Sequence, residues 1–254
     1  MRALLVACSL FIVAGCANKD RVAEQLEPSR IYDKGHLLLM GGDYRGAIRY
    51  FEALEASYPF SEEARQARLD IIFAYYRARQ QESAIDAADQ FIRENPTHPR
   101  VDYAMYLRGL IYFERSPNFL ERWFRTDLSE RPPQDVRRAF DAFDQLIKQK
   151  PNSIYAHDAR QRMIFLRNRL ADYEVYVARH YLRRQAYVAA IARARYTIEN
   201  YDGAPAIQEA LEIMIDSYKG LGLDDLAERS QEVFAYNYPD AKPESHTRRW
   251  WWPD

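Results

Sequence analysis

"GDYRGAIRYFEALEASYPFS" (42–61) sets Ala47, Phe51 and Pro59 at offsets 0, +4 and +12. Residues four apart share one face of an α-helix, and a proline eight residues later pushes the residue before it out of helical geometry. The stretch therefore predicts a helix with a small-then-large contact face and a fixed stop. The same grammar recurs. "QESAIDAADQFIRENPTHP" (81–99) carries Ala84, Ala88 and Pro96, and "VRRAFDAFDQLIKQKPNS" (136–153) carries Ala139, Phe143 and Pro151. "LDDLAERSQEVFAYNYPDA" (223–241) carries Ala227, Gln231 and Pro239, while "YVAAIARARYTIENYDGA" (187–204) keeps Ala190 and Ala194 but has Asp202 where proline would fall. Each is preceded by another amphipathic segment: "SRIYDKGHLLLMGG", "ARQARLDIIFAYYRA", "VDYAMYLRGLIYFE", "ADYEVYVARHYLRR" and "IQEALEIMIDSYKGLG". Small residues at Gly35, Ala47, Gly109, Ala139, Ala178, Ala190 and Ala227 let paired helices approach closely.

Five such pairs in series resemble the tetratricopeptide repeat, a helix-turn-helix unit of about 34 residues. The expected fold is all-α, a superhelical solenoid of about five repeats. The stops are unevenly spaced: 37 residues from Pro59 to Pro96, 55 to Pro151, 51 to Asp202 and 37 to Pro239. Part of the first excess is "RSPNFLERWFRTDLSERPP" (115–133), an insertion in repeat three with Phe119, Trp123 and Phe124. Its aromatics either fold back on the solenoid or meet a partner. The predicted division is an N-terminal half over 28–134 with the insertion at 115–133, a C-terminal half over 135–240, and a tail over 241–254. The tail's "RRWWWPD" either caps the last repeat, meets the membrane interface or binds a partner.

Arg2 followed by the apolar run "ALLVACSLFIVA" (3–14) has the charged and hydrophobic regions of an export signal. Twelve residues are too few for a spanning helix, which needs about 20. The run ends in Val13-Ala14-Gly15-Cys16, which resembles the lipobox of bacterial lipoproteins. That resemblance implies a signal peptide over 1–15 and a diacylglyceryl thioether plus an N-acyl (palmitate-type) chain on Cys16. It also implies sorting by Ala17 to the outer membrane, on the periplasmic face. Multiple acyl chains give stable anchoring where one is marginal. Cys8 would leave with the signal, so no disulfide is expected. Residues 16–27 then read as a lipidated tether; eleven extended residues reach about 35–40 Å.

Little in the chain speaks for catalysis. The five histidines show no metal-ligand spacing, no G-x-S-x-G elbow exists, and the glycines at 41–42 and 220–222 fall between helices. Glu62-Glu63 and Asp224-Asp225 sit where helix N-termini favour acids. No enzyme activity, metal or cofactor beyond the covalent lipid is expected. A net charge of -1 argues against nucleic acid as partner.

In tetratricopeptide arrays the first helix of each pair lines an inner groove. Here those positions include Tyr32, His36, Leu39, Phe73, Tyr76, Arg77, Tyr103, Tyr106 and Phe113 in repeats one to three. In repeats four and five they include Asp172, Arg179, Arg183, Glu209, Glu212, Asp216 and Lys219. One half is aromatic, the other charged. "HPRVDYAMYLRGL" and "RMIFLRNRLA", in consistent order with the insertion and the lipobox, resemble the BamD family (ComL, YfiO), lipoproteins of the β-barrel assembly (BAM) complex. The similarity covers roughly residues 25–240. It implies a non-enzymatic subunit that receives unfolded outer-membrane protein precursors and docks on the last POTRA domain of BamA, with BamC along its body. Carried onto this chain, Tyr32, Phe60, Phe73, Tyr76, Arg77, Tyr103 and Tyr106 are the expected substrate-groove residues. Arg183, Arg193, Glu209 and Asp216 are the expected BamA-facing residues. The competing reading is a pilus-biogenesis pilotin, whose repeats should run near 34 residues without the insertion.

Overall fold

Pro28 opens the first helix, where its missing N–H costs nothing. The computed structural model describes residues 26–115 and 133–243, and among them it holds ten helices and no strand. They are α1 (Pro28–Met40), α2 (Tyr44–Ser57), α3 (Glu62–Arg77), α4 (Gln81–Glu94), α5 (Val101–Arg115), α6 (Gln134–Gln149), α7 (Ala156–Arg183), α8 (Tyr187–Asn200), α9 (Ile207–Gly220) and α10 (Asp224–Asn237). Cys16, the tether up to residue 25, most of the insertion and the tail from residue 244 lie outside the described residues. The all-helical, helix-turn-helix repeat class expected from the sequence is the one observed.

Two turn types alternate, and each repeats nearly atom for atom. Within a pair, the helix ends on one residue of positive φ: Gly42 (84°), Arg79 (64°), Gln185 (58°) and Gly222 (70°). The residue after it donates its N–H back over the last turn: Asp43 to Leu38 (2.9 Å), Gln80 to Tyr75, Ala186 to Tyr181 and Leu223 to Tyr218 (3.0 Å each). This closes the orphan carbonyls of the helix end. Between pairs, the helix ends on a residue near φ −130°: Tyr58, Asn95, Lys150, Tyr201 and Tyr238. Its carbonyl accepts the N–H three residues on, from Ser61, His98, Ser153, Ala204 and Ala241 at 3.0–3.1 Å. The prolines of the sequence pattern, and Asp202 in their place, are the second residue of these turns. Their fixed φ suits that position.

The described chain divides into two compact units, one ending at Ile111 and the other beginning at Tyr112. In the first, Ile31, Leu39, Ala47, Ile48, Phe51 and Leu54 of α1 and α2 pack with Ala64, Ala67, Ile71 and Ala74 of α3. Leu69, Ile72, Ala88, Phe91, Ala104 and Leu107 continue this core through α3, α4 and α5. Gly35 shows why small residues sit in the pairing face: a Cβ there would lie 2.7 Å from the buried Phe51 ring.

In the second unit, α7 runs for 28 residues, well beyond the segment expected from residue 171. This accounts for the 51-residue gap between stops. The extra fourteen residues over the 37-residue gap make about four helical turns. Near-integer turns return the added residues to the same face, so Ala159, Leu166, Leu170, Val175, Ala178 and Leu182 are all buried along one helix. Arg167, in the added part, donates to the carbonyls of Asp202 (2.7 Å) and Gly203 (2.9 Å), clamping the α8–α9 turn that has no proline. The last described helix, α10, leaves Leu226, Val233 and Tyr236 exposed. Where α2, α4 and α8 bury Ile48, Ile85 and Ile191, α10 exposes Glu228.

Candidate functional site

The first unit gathers aromatic residues from α2, α3 and α5. Phe73, Tyr76 and Tyr103 are half-buried and pack on the same core, made by α3, α4 and α5. The rings of Phe73 and Tyr76 lie 6.3 Å apart, and Tyr44 meets Phe73 edge-on at 6.4 Å. The Arg77 guanidinium stacks over both Tyr44 (5.0 Å) and Phe73 (5.5 Å). Arg100 lies over the Tyr103 ring at 5.2 Å. Such contacts hold a cation in place while its N–H donors face outward.

Tyr32 belongs to a neighbouring arrangement. Its hydroxyl donates to Asp70 Oδ2 at 2.8 Å, and Gln66 Nε2 donates to Oδ1 at 3.0 Å. Asp70 is buried, and these bonds are what allow a carboxylate there. Burial first, and then the bond to Asp70, push the Tyr32 hydroxyl above its usual range. His36 stacks on Tyr32 at 5.7 Å. Tyr32 therefore ties α1 to α3, with its ring still half-exposed beside His36. Tyr106 is half-buried on α5. Phe60 stands apart: it is the third residue of the Tyr58–Ser61 turn and 95% exposed, so it packs on nothing in the cluster. Tyr44, by contrast, was not among the expected residues. It opens a second helix, whereas the inner-groove rule draws only on first helices.

The charged residues of the second unit behave differently. Arg193 Nη1 donates to Glu174 Oε2 at 2.9 Å, and Arg137 Nη2 stands 4.0 Å from Oε1 of the same carboxylate. Glu174 is 4% exposed, so this is a buried anion held by cations from α6 and α8. The bond to Glu174 raises the Arg193 guanidinium pKa further, against the opposing pull of desolvation. Arg179 Nε donates to Glu209 Oε1 at 2.7 Å, joining α7 to α9. Arg193 and Glu209 are thus engaged inside the unit. Arg183 is exposed near the end of α7, and Asp216 is half-buried on α9. Arg137 also reaches the Tyr201 hydroxyl at 3.3 Å. Among the described residues no group of acids, histidines or cysteines is arranged to hold a metal ion. No described helix is long and apolar enough to cross a membrane.

One family matches the chain over most of its length. A family model described as an outer membrane lipoprotein, YfiO, matches residues 24–233. The chain belongs to the YfiO family. A relative from Vibrio cholerae, named outer membrane protein assembly factor BamD, is 37% identical over 229 residues, 90% of this chain and 95% of its own. The BamD of Neisseria gonorrhoeae is 36% identical over 250 residues, covering 98% and 92%. That of Xylella fastidiosa is 35% identical over 240 residues, covering 94% and 82%. Among solved structures, the MamA protein is similar at 18% identity and a TM-score of 0.40, over 84% of this chain and 92% of its own. The "RMIFLRNRLA" stretch (162–171) lies mostly in the N-terminal half of α7. Leu166, Leu170 and Ala171 are buried there, and Arg162 covers the Phe113 ring at 4.8 Å.

Proposed function

We propose that this chain is a non-enzymatic outer-membrane lipoprotein of the β-barrel assembly machinery, anchored at the periplasmic face through Cys16. Its first unit receives unfolded outer-membrane protein precursors. Its second unit docks on the last POTRA domain of the barrel subunit BamA, and BamC lies against the body. The relatives' shared name, outer membrane protein assembly factor, supports the general role. The observation that carries the substrate step is the Tyr44–Phe73–Tyr76–Arg77 cluster with Tyr103 on the same core. Half-exposed rings over a rigid core offer contact area at low entropic cost, as hot spots for peptide side chains do.

The test is site-specific crosslinking. Photocrosslinkers at positions 76 and 103 should capture a precursor peptide ending in an aromatic residue, whereas one at exposed position 152, on the α6–α7 turn, should not. Failure of both inner positions to capture the peptide sinks the substrate reading. Docking on BamA is tested at Arg183 and Asp216, with the thermal midpoint of each variant measured alongside because both side chains have contacts within the chain. Charge reversal at both should remove co-purification of BamA by more than any loss of folded protein accounts for.

A further inference from the structure

α10 carries an exposed apolar line that the other second helices lack. Leu226, Val233 and Tyr236 are spaced so as to share one side of the helix, with Leu223 three residues before them, and all four are exposed. Counted from Ala227, which matches Ala47, Ala84, Ala139 and Ala190, the equivalent positions elsewhere are mostly small or polar. Where α10 has Leu226, the others have Gly46, Ser83, Arg138 and Ala189. Where it has Tyr236, they have Ala56, Arg93, Lys148 and Glu199. At the position of Val233 only α8 has a large side chain with apolar area, Tyr196. Repeat packing therefore does not ask for these residues.

A further helix pair is not what this line awaits. Ile191 of α8 packs on Tyr218 of the pair that follows it, and its equivalent on α10 is the exposed Glu228. At 100° per residue, Glu228 lies roughly opposite Leu226 around the helix. The stacking face of α10 is thus polar, and the apolar line is on another side.

The chain itself supplies an occupant. The last described residue, Pro243, follows α10 by six positions, and "ESHTRRWWWPD" (244–254) comes next. The helix is about 21 Å long, and the seven residues from Pro243 to Trp250 reach up to about 23–25 Å when extended. The three tryptophans can therefore reach any point of the line. An indole covers a large apolar area while its N–H stays in water. Charge agrees with this placement. α10 exposes Asp224, Asp225, Glu228 and Glu232 against one cation, Arg229, and Arg248 and Arg249 stand immediately before the tryptophans.

We propose that the C-terminal segment 244–254 folds back along α10 and covers Leu223, Leu226, Val233 and Tyr236 with Trp250, Trp251 and Trp252. Its two arginines then lie among the acids of the helix, and the last helix pair is capped by its own chain. This reading is independent of the substrate and BamA assignments above.

The experiment places a photocrosslinker at position 233 of the full-length protein in detergent, with position 37, an exposed leucine of the first unit, as the control. Mass spectrometry should find the position-233 product on the peptide that holds Trp250–Trp252. Its yield should exceed that from position 37 about tenfold, because so short a tether gives a millimolar local concentration. Equal yields from both positions, or no capture of that peptide, overturn the proposal. Mixing isotopically light and heavy chains is the second arm: products that join the two labels assign the line to a second copy and overturn it. Stability provides a third readout. Replacing the three tryptophans with serine should lower the thermal midpoint by about 2–4 °C, and so should Leu226→Ser with Val233→Ser. The five substitutions together should cost no more than either set alone, since both remove one contact. Fully additive losses, or tryptophans whose removal leaves the midpoint unmoved, overturn the proposal.

Discussion

Both units use arginines to join helices, but only the first also stacks one, Arg77, across two rings of its aromatic cluster. In the second, Arg193 and Arg179 turn inward to Glu174 and Glu209 and stitch neighbouring helices together. In the first, Arg68 and Arg108 pair likewise with Glu55 and Asp89, whereas Arg77 lies over the rings of Tyr44 and Phe73. A charged helix face is therefore no guide to a docking surface until its partners are known. The sharpest way to break this contrast is Arg193→Glu. It would set a second carboxylate beside Glu174, which is already buried, and mismatched buried charges cost about 3–5 kcal/mol. Arg193 is itself half-exposed, so we expect roughly 2–3 kcal/mol after solvent screening and a fall of several degrees in the thermal midpoint. Arg77→Glu should leave the midpoint within a degree or two. The swapped pair, Arg193→Glu with Glu174→Arg, should recover part of the loss. Equal midpoints for the two single variants would erase the distinction between the units.

Gly35→Ala tests the packing side of the comparison. The new methyl would meet the Phe51 ring at 2.7 Å and Tyr50 Cβ at 3.1 Å, and Phe51 is enclosed by the first core. Overpacking of this kind costs about 1–3 kcal/mol, so chemical denaturation should show a loss near 2 kcal/mol. Gly42→Ala, with open space around it, should instead pay only for its positive φ of 84°. If the two variants match, close approach of α1 and α2 is not what Gly35 provides.

The helix pairs were legible because the alanine, phenylalanine and proline offsets are set by local geometry: a contact face, then a turn. Even the proline-free stop at Asp202 was legible, because the rest of its register survives. The length of α7 was not read, although Ala159, Leu166 and Leu170 carry the helical period in plain view. A 51-residue gap points equally to an inserted loop or to added turns, and only the burial pattern separates them. The aromatic residues of α3 and α5 followed from their positions in first helices. Tyr44 was missed because it reaches the cluster from a second helix. The pairings of Arg193 with Glu174 and Arg179 with Glu209 span 19 and 30 residues. No sequence spacing encodes ion pairs that form only when separate helices stack. Phe60 was an apolar residue beside a helix end, and its placement at a turn tip depends on the Pro59 turn closing as it does.

Tyr201, one of two buried tyrosines among the described residues of the second unit, provides a test by pH. Burial pushes the Tyr201 hydroxyl up to about 12, partly offset by the nearby Arg137 charge. The unfolded value is about 10, so the folded state holds the proton more tightly between those limits. Stability from this group is complete below pH 10 and is lost as pH rises from 10 towards 12. Tyr201→Phe should flatten that part of the stability–pH curve. Spectrophotometric titration should also lose one high-pH phenol. An unchanged slope between pH 10 and 12 would mean that Tyr201 is not the proton reservoir.

The smallest effect concerns the turns that both units share. Gly42 and Gly222 take positive φ freely, whereas Arg79 (64°) and Gln185 (58°) are forced into the same left-handed region by the same hydrogen-bonded motif. A side chain there costs about 1–2 kcal/mol of local strain. Glycine would remove it but add about 0.4–1 kcal/mol of unfolded-chain entropy. Arg79→Gly and Gln185→Gly should each stabilise the protein by roughly 0.5 kcal/mol. Both side chains are exposed, so little packing is lost with them. Matching small gains in the two units would mark the turn as a common backbone device that tolerates any residue. A loss at Arg79 alone would instead show that the arginine beyond the end of α3 makes a contribution the second unit lacks, and would extend the asymmetry from Arg77 to its neighbour.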